Sequence, residues 1–167
     1  MNPFTKMLRE IAQLLHANNW QLVTAESCTG GLVASYITDI AGSSAWFERG
    51  FVTYSNLAKQ EMLAVPKELI EQYGAVSEEV ALAMAVGALK HSSGTIALSV
   101  TGIAGPDGGS IEKPVGTVCF AWAARGGSSR ALRKQYAGTR QDIRIASCQE
   151  ALEGVLALIK NIPSISN

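Results

Sequence analysis

The first candidate catalytic residue lies in a short glycine-containing segment, residues 26–31, of sequence E-S-C-T-G-G. This segment follows an apolar run and precedes a helical pattern, so it predicts a tight turn between a strand and a helix. At such a turn the Ser27 hydroxyl could attack a carbonyl carbon while the backbone N–H groups of Thr29, Gly30 and Gly31 bind the developing negative charge. The alternative is that Ser27 and Thr29 only cap the helix.

A serine nucleophile needs a group that accepts its proton. The two histidines, His16 and His91, lie in or at the end of predicted helices and not beside a glycine-rich loop, which argues against a Ser-His-Asp triad. A desolvated lysine can replace histidine, because burial lowers its pKa. Lys59 is the candidate, one turn into a helix that follows the strand carrying Tyr54. The alternative for Lys59 is a solvated surface lysine.

A second glycine-rich segment, residues 102–114, follows the apolar, β-branched run 95–101. Glycines at 102, 105, 108 and 109 would let backbone N–H groups approach a phosphate or a carboxylate closely. The segment matches neither the P-loop pattern nor G-x-G-x-x-G. A long surface loop is the alternative. Asp107 and Glu112 could bind a divalent metal, but two carboxylates without companion ligands are weak evidence for a metal site.

Arg140, Arg144 and Cys28 each have both a functional and a structural interpretation. Arg140 and Arg144 are four residues apart at the start of the last predicted helix, so they share a face and could hold a phosphate together. The alternative is a pair of surface arginines beside helix acids. Cys28 could be a nucleophile only with a lowered pKa, and a small buried side chain is the simpler role.

The elements that must position these residues follow from hydrophobic periodicity. Strand-like runs at 21–25, 49–55 and 95–101 alternate with helical patterns, and runs at 115–124 and 129–136 are joined by the hairpin signal R-G-G-S. A last helix begins after Thr139 and reaches about Lys160. We therefore predict a three-layer α/β/α fold whose mixed, mostly parallel sheet has about five strands, with a hairpin before the last helix.

Length, charge and composition narrow the function classes. The 167 residues suit one domain, residues 1–167, and the formal net charge of zero argues against a nucleic-acid or anionic-membrane partner. No run approaches the roughly 18 apolar residues of a membrane span, and no signal peptide is evident. Three widely spaced cysteines suit reduced thiols. We expect a cytoplasmic protein that needs no metal or other cofactor.

Several motifs in one order resemble the CinA C-terminal domain family, and the resemblance covers nearly the whole chain. They are residues 24–31 (T-A-E-S-C-T-G-G), 50–56 (G-F-V-T-Y-S-N) with Lys59, 74–77 (G-A-V-S), 101–109 (T-G-I-A-G-P-D-G-G) and 113–116 (K-P-V-G). The resemblance implies an amidase that hydrolyses nicotinamide mononucleotide to nicotinic acid mononucleotide and ammonia in pyridine nucleotide recycling. It also implies a homodimer or higher homo-oligomer.

The resemblance further implies a metal-free serine and lysine mechanism with a nearby tyrosine, which here are Ser27, Lys59 and Tyr54. The expected binding residues for the small nucleotide substrate are Thr29, Gly30, Gly31, Thr101, Gly102, Gly105, Arg140 and Arg144. Two alternatives stay open from the sequence. One is a catalytically silent paralogue that binds a nucleotide or a protein, and the other is a metal-dependent phosphohydrolase.

Overall fold

The computed structural model describes residues 1–163 and contains one five-stranded sheet in the order β2-β1-β3-β4-β5. The strands are β1 (Leu22–Glu26), β2 (Phe47–Val52), β3 (Ile96–Gly102), β4 (Thr117–Ala124) and β5 (Ser129–Gln135). Strand β1 is parallel to both β2 and β3, whereas β4 is antiparallel to both of its neighbours. Four strands therefore point one way, which confirms the predicted mixed sheet and the β4–β5 hairpin.

Helices cover both faces of the sheet. They are α1 (Thr5–Ala17), α2 (Leu32–Thr38), α3 (Asn56–Leu63), α4 (Lys67–Tyr73), α5 (Glu78–Lys90) and α6 (Arg140–Asn161), with one 3-10 turn at Ser43–Ala45. One core lies between the sheet and α1, α2 and α6, and a second lies between the sheet and α3, α4 and α5. The predicted three-layer α/β/α architecture is confirmed. No helix within residues 1–163 is both long enough and apolar enough to cross a membrane.

Each of three helices begins after a residue whose type suits a helix start. Thr139 caps α6 as predicted, in a reciprocal arrangement with Asp142. Helix α3 begins at Asn56, and its cap is Ser55, whose hydroxyl accepts the N–H of Ala58. Pro66 is the cap residue of α4, with an extended backbone and no side-chain hydrogen bond.

The parallel strands bring the chemically interesting segments to one edge of the sheet. Strands β1, β2 and β3 end at Glu26, Val52 and Gly102, and their register places these ends side by side. Because the carboxyl ends of parallel strands meet at one edge, the segments that follow them converge there. Three segments thus surround a common space: residues 26–31, called the nucleophile segment because they contain the candidate nucleophile Ser27, the chain that enters α3, and the glycine-rich loop 102–114.

Helix α6, which carries Arg140 and Arg144, is seated against β4 through a close contact. A Cβ atom at Gly154 would lie 2.0 Å from Cε2 of the buried Trp122, whose indole N–H donates to the Ala151 carbonyl at 2.8 Å. Only glycine permits this approach.

We expect Gly154→Ala to lower the free energy of unfolding by roughly 1–3 kcal/mol, because the added methyl group overlaps the indole. This is the reverse of the gain of about 1 kcal/mol that alanine brings to an unobstructed helix position. Urea denaturation measures the change. Gly127→Ala is the control, since its Cβ would meet Ala124 Cβ at an ordinary 3.4 Å. A stabilised Gly154→Ala variant would contradict this account of how α6 is seated.

Candidate active site

Ser27 and Lys59 form the centre of the site. The Lys59 Nζ atom lies 3.0 Å from Ser27 Oγ, 2.9 Å from the Thr53 carbonyl oxygen and 3.3 Å from the Tyr54 carbonyl oxygen. Lys59 is 1% exposed and Ser27 is 7% exposed. The structure therefore brings together the two residues that the sequence singled out as nucleophile and proton acceptor, and Lys59 is not a solvated surface lysine.

The surroundings of Lys59 favour its neutral form. Burial lowers the pKa of the Lys59 amine below its ordinary value. Within residues 1–163, no carboxylate forms a salt bridge with it. A lysine buried without a carboxylate partner carries a proton less readily than one in water.

The three oxygens around Nζ also fix the direction of its lone pair. A carbonyl oxygen can only accept hydrogen bonds, so the Thr53 and Tyr54 carbonyls take the two N–H groups of a neutral amine. The lone pair then faces the remaining neighbour, Ser27 Oγ, which can donate its proton. In the charged form the third N–H donates to the same Oγ. A proton can thus move between Ser27 and Lys59 without rotation of the lysine side chain.

The backbone holds both residues through short links between strand ends. The Ser27 N–H donates to the Val100 carbonyl of β3 at 2.9 Å, and the Thr53 N–H donates to the Glu26 carbonyl at 2.8 Å. Lys59 lies in the first turn of α3, where its N–H donates to the carbonyl of the capping residue Ser55 at 3.2 Å. Strand pairing therefore fixes the position of Ser27, and the capped start of α3 fixes the position of Lys59.

Glu26 anchors the other side of the nucleophile segment. It is fully buried, and its two carboxylate oxygens accept the N–H groups of Val33 at 2.9 Å and Ala34 at 3.1 Å. Helix α2 begins after Gly31, which has φ +98° and no side chain, so Glu26 supplies the cap. The alternative that Ser27 and Thr29 cap this helix is wrong.

The backbone N–H groups of the nucleophile segment are partly used. Gly30 N–H donates to the Ser27 carbonyl at 3.0 Å, whereas those of Cys28, Thr29 and Gly31 make no hydrogen bond to residues 1–163. Cys28 and Gly102 lie close together, since a Cβ at Gly102 would be 3.1 Å from Cys28 Sγ. Both residues line the space above Ser27, where backbone donors could bind an oxyanion.

A cavity of about 320 Å³ opens over the serine and lysine pair. Of the predicted site residues, those that line it are Ser27, Tyr54, Lys59, Thr101, Gly102, Gly105 and Arg140. Thr29, Gly30, Gly31 and Arg144 are not among its lining residues. The cavity is thus built from the segments after β1, β2 and β3, with α6 closing one side.

Arg140 and Arg144 have separate positions despite their shared helix face. Arg140 donates to the Gly105 carbonyl at 2.7 Å and to the Tyr54 hydroxyl at 3.2 Å, and so spans two walls of the cavity. Arg144 donates to the Cys28 carbonyl at 3.1 Å and the Thr29 carbonyl at 3.0 Å, which holds the nucleophile segment from behind. The structure does not place the two guanidinium groups together in the cavity.

Tyr54, Thr101 and Cys28 differ in exposure and in their hydrogen-bond partners. Tyr54 is 63% exposed; its hydroxyl accepts a hydrogen bond from Arg140, and its backbone carbonyl accepts one from Lys59. The Thr101 hydroxyl donates to the Ala75 carbonyl at 2.8 Å. Burial raises the pKa of the Cys28 thiol to about 12, so this cysteine is a protonated thiol at neutral pH.

Asp107 and Glu112 do not belong to a metal-ligand cluster, because residues 1–163 contain no group of three or more His, Cys, Asp and Glu side chains suited to a metal ion. Sequence reasoning missed the roles of Glu26, Thr53 and Ser55. Ser55 carried a signal, since serine is a common helix cap. Thr53 acts through its backbone carbonyl, and no residue type reveals that.

The protonation of Lys59 predicts a pH-dependent stability difference. Between the lowered pKa of the folded state and the ordinary 10.5, the unfolded chain binds the proton that the folded chain has lost, so stability rises with pH in that window. Lys59→Met removes this contribution. We expect the stability of the variant relative to the native protein to be highest near neutral pH and to fall as the pH rises toward 10.5. Urea denaturation across this range measures it, and a pH-independent difference would contradict the lowered pKa.

Glu26→Gln tests the cap on α2. An amide keeps one acceptor but turns its NH₂ group toward a backbone N–H, so we expect a loss of about 1–3 kcal/mol in the free energy of unfolding. Thermal or urea denaturation measures it. Glu61→Gln, an exposed residue of α3, should stay within about 0.5 kcal/mol of the native protein. Equal effects of the two changes would show that Glu26 does not cap the helix.

Comparison with known proteins places this geometry in a family. The CinA C-terminal domain matches residues 4–159. Proteins named nicotinamide-nucleotide amidohydrolase PncC are 54% identical in Enterobacter agglomerans, over 91% of this chain and 93% of the relative, and 53% identical in Escherichia coli K12, over 89% and 90%. The crystal structure of the competence/damage inducible protein CihA from Agrobacterium tumefaciens superposes with a TM-score of 0.90 at 49% identity, covering 92% of this chain and 93% of that one. The predicted resemblance is confirmed, and the chain belongs to the CinA C-terminal domain family.

Proposed function

We propose that this protein is a nicotinamide-nucleotide amidohydrolase that converts nicotinamide mononucleotide to nicotinic acid mononucleotide and ammonia, with Ser27 as nucleophile and Lys59 as general base. The observation that carries the proposal is the buried contact of 3.0 Å between Lys59 Nζ and Ser27 Oγ, flanked by two carbonyl acceptors. The names of the relatives that share nearly the full length support the substrate.

In the first half of the reaction, Ser27 Oγ attacks the carboxamide carbon of the substrate while its proton passes to the lone pair of Lys59. The carbonyl oxygen of the substrate becomes an oxyanion, which the backbone N–H of Cys28 stabilises with that of Gly102. Lys59 then gives the proton to the amide nitrogen as the C–N bond breaks. Ammonia leaves, and an ester links Ser27 to the nicotinoyl group.

In the second half, a water molecule attacks the ester carbon and gives its proton to Lys59. The oxyanion forms at the same place, the C–O bond to Ser27 breaks, and Lys59 returns the proton to Ser27 Oγ. The free acid leaves as its carboxylate. Lys59 is therefore neutral at the start and the end of each half-reaction and carries the proton in between. This requires a site that accommodates both forms of the amine, and the three oxygens around Nζ can form hydrogen bonds with each form.

Tyr54 enters this mechanism through its backbone carbonyl, which accepts one N–H of Lys59. The tyrosine hydroxyl is bonded to Arg140 and makes no hydrogen bond to Ser27 or Lys59, so direct transfer between the pair is the simpler route. Arg140 keeps N–H donors beyond those used for Gly105 and Tyr54, and we assign it to the nucleotide phosphate. Arg144 positions the nucleophile segment through the Cys28 and Thr29 carbonyls.

Ser27→Ala should lower ammonia release from nicotinamide mononucleotide at least about a thousandfold, because no acyl-enzyme can form. A coupled ammonia assay measures it, with Ser35→Ala on the exposed face of α2 as a matched control that keeps native turnover. Cys28→Ala keeps the backbone N–H and should retain most of the activity. Near-native turnover by Ser27→Ala would overturn the nucleophile.

The competing function is a silent member of the family that binds a nucleotide without turnover. Thermal shift with nicotinamide mononucleotide, run beside the ammonia assay, separates the two. Binding together with ammonia release supports the amidohydrolase, and binding without release by the purified native protein supports the silent module.

A further inference from the structure

The cavity over Ser27 contains a carboxylate that the proposed mechanism does not use. Asp107 is the one acidic residue among the described residues that line the cavity, and its side chain is exposed. It makes no hydrogen bond and no salt bridge to residues 1–163. Arg140, which lines the same cavity, donates to the Gly105 carbonyl and the Tyr54 hydroxyl and forms no salt bridge with Asp107.

Asp107 has no evident part in holding its own loop. The loop is fixed by Arg140 on the Gly105 carbonyl at 2.7 Å, by Ile103 N–H on the Thr117 carbonyl at 2.9 Å, and by Gly116 N–H on the Ile103 carbonyl at 2.7 Å. None of these contacts uses the carboxylate. An exposed charge without a partner contributes little to stability, so its position in the cavity wall points to a ligand.

The aromatic side chain of Tyr54 lines the same cavity and is 63% exposed. The hydrogen bond between its hydroxyl and Arg140 restrains the ring. An aromatic ring and a carboxylate without a partner both attract an organic cation, the first through its π electrons and the second through its charge. The cavity wall therefore has the chemistry of a site for a positively charged ring.

We infer that Asp107, with the Tyr54 ring in the wall of the same cavity, recognises the positive charge of the substrate's pyridinium ring and so selects quaternised nicotinamide nucleotides over nucleotides with a neutral ring. This inference rests on the proposed function, because it assumes that the ring lies in this cavity. Asp107 is a specificity residue and takes no part in proton transfer. Arg140 and Asp107 together match a ligand with an anionic phosphate and a cationic ring.

The test compares two ligands that differ in ring charge. Nicotinamide mononucleotide has a cationic ring, whereas its reduced form keeps the carboxamide, ribose and phosphate but has a neutral ring. Dissociation constants for both are measured by calorimetry in a Ser27→Ala background, where no turnover occurs. We expect the oxidised form to bind about five- to tenfold more tightly than the reduced form, and Asp107→Asn to remove most of that preference.

Two variants and one condition separate charge recognition from a structural effect. Asp107→Glu keeps the charge and should restore much of the preference, while Glu112→Gln removes an exposed acid of the same loop that does not line the cavity and should leave the preference unchanged. Raising the salt concentration should reduce the preference in the protein with Asp107 and have little effect on the Asp107→Asn variant.

An equal preference with and without the Asp107 charge would overturn the inference, and so would an equal loss in Glu112→Gln. These outcomes differ from failure of the proposed function. If the native protein releases no ammonia from nicotinamide mononucleotide, the amidohydrolase proposal fails. If it releases ammonia while Asp107→Asn keeps the native preference, only the role of Asp107 fails.

Discussion

The site depends on one interaction, the contact of the Lys59 amine with Ser27 Oγ inside the protein. Taking an ammonium group out of water is costly, so burial lowers the pKa of the Lys59 amine, and three oxygens surround its Nζ atom. Two of these oxygens belong to carbonyl groups, which cannot donate a proton. Of the three oxygens, the serine hydroxyl is therefore the one from which the amine can take a proton.

The architecture can be understood as the means of keeping that contact fixed. Ser27 follows β1 and is tied to β3, while Thr53 follows β2 and is tied back to the Glu26 carbonyl of β1. The Glu26 side chain meanwhile fastens α2 through two backbone N–H groups. Glu26 thus connects the end of β2, which leads to Lys59, with α2, which follows Ser27. Small shifts between these elements would lengthen the contact on which proton transfer depends.

Much of this arrangement is predictable from the sequence, and the missing parts have physical reasons. Hydrophobic periodicity predicted the three layers of helices and sheet and the β4–β5 hairpin. The lack of a suitable histidine indicated Lys59 as the candidate proton acceptor. The partners of Lys59 could not be predicted, because backbone carbonyls are present at every residue and only the fold selects Thr53 and Tyr54. The different partners of Arg140 and Arg144 could not be predicted from the sequence either. A shared helix face does not determine whether a long side chain turns toward the cavity or toward residues 26–31.

The most direct test of the central claim is the titration of Lys59 itself, followed by NMR of ¹³C-labelled lysine side chains and assigned by loss of the signal in Lys59→Met. The account predicts that Lys59 titrates below the ordinary value of 10.5, apart from the other lysines, and that the acidic limb of the pH profile of kcat/KM falls at the same pH. A Lys59 signal that titrates with the other lysines near 10.5 would contradict it.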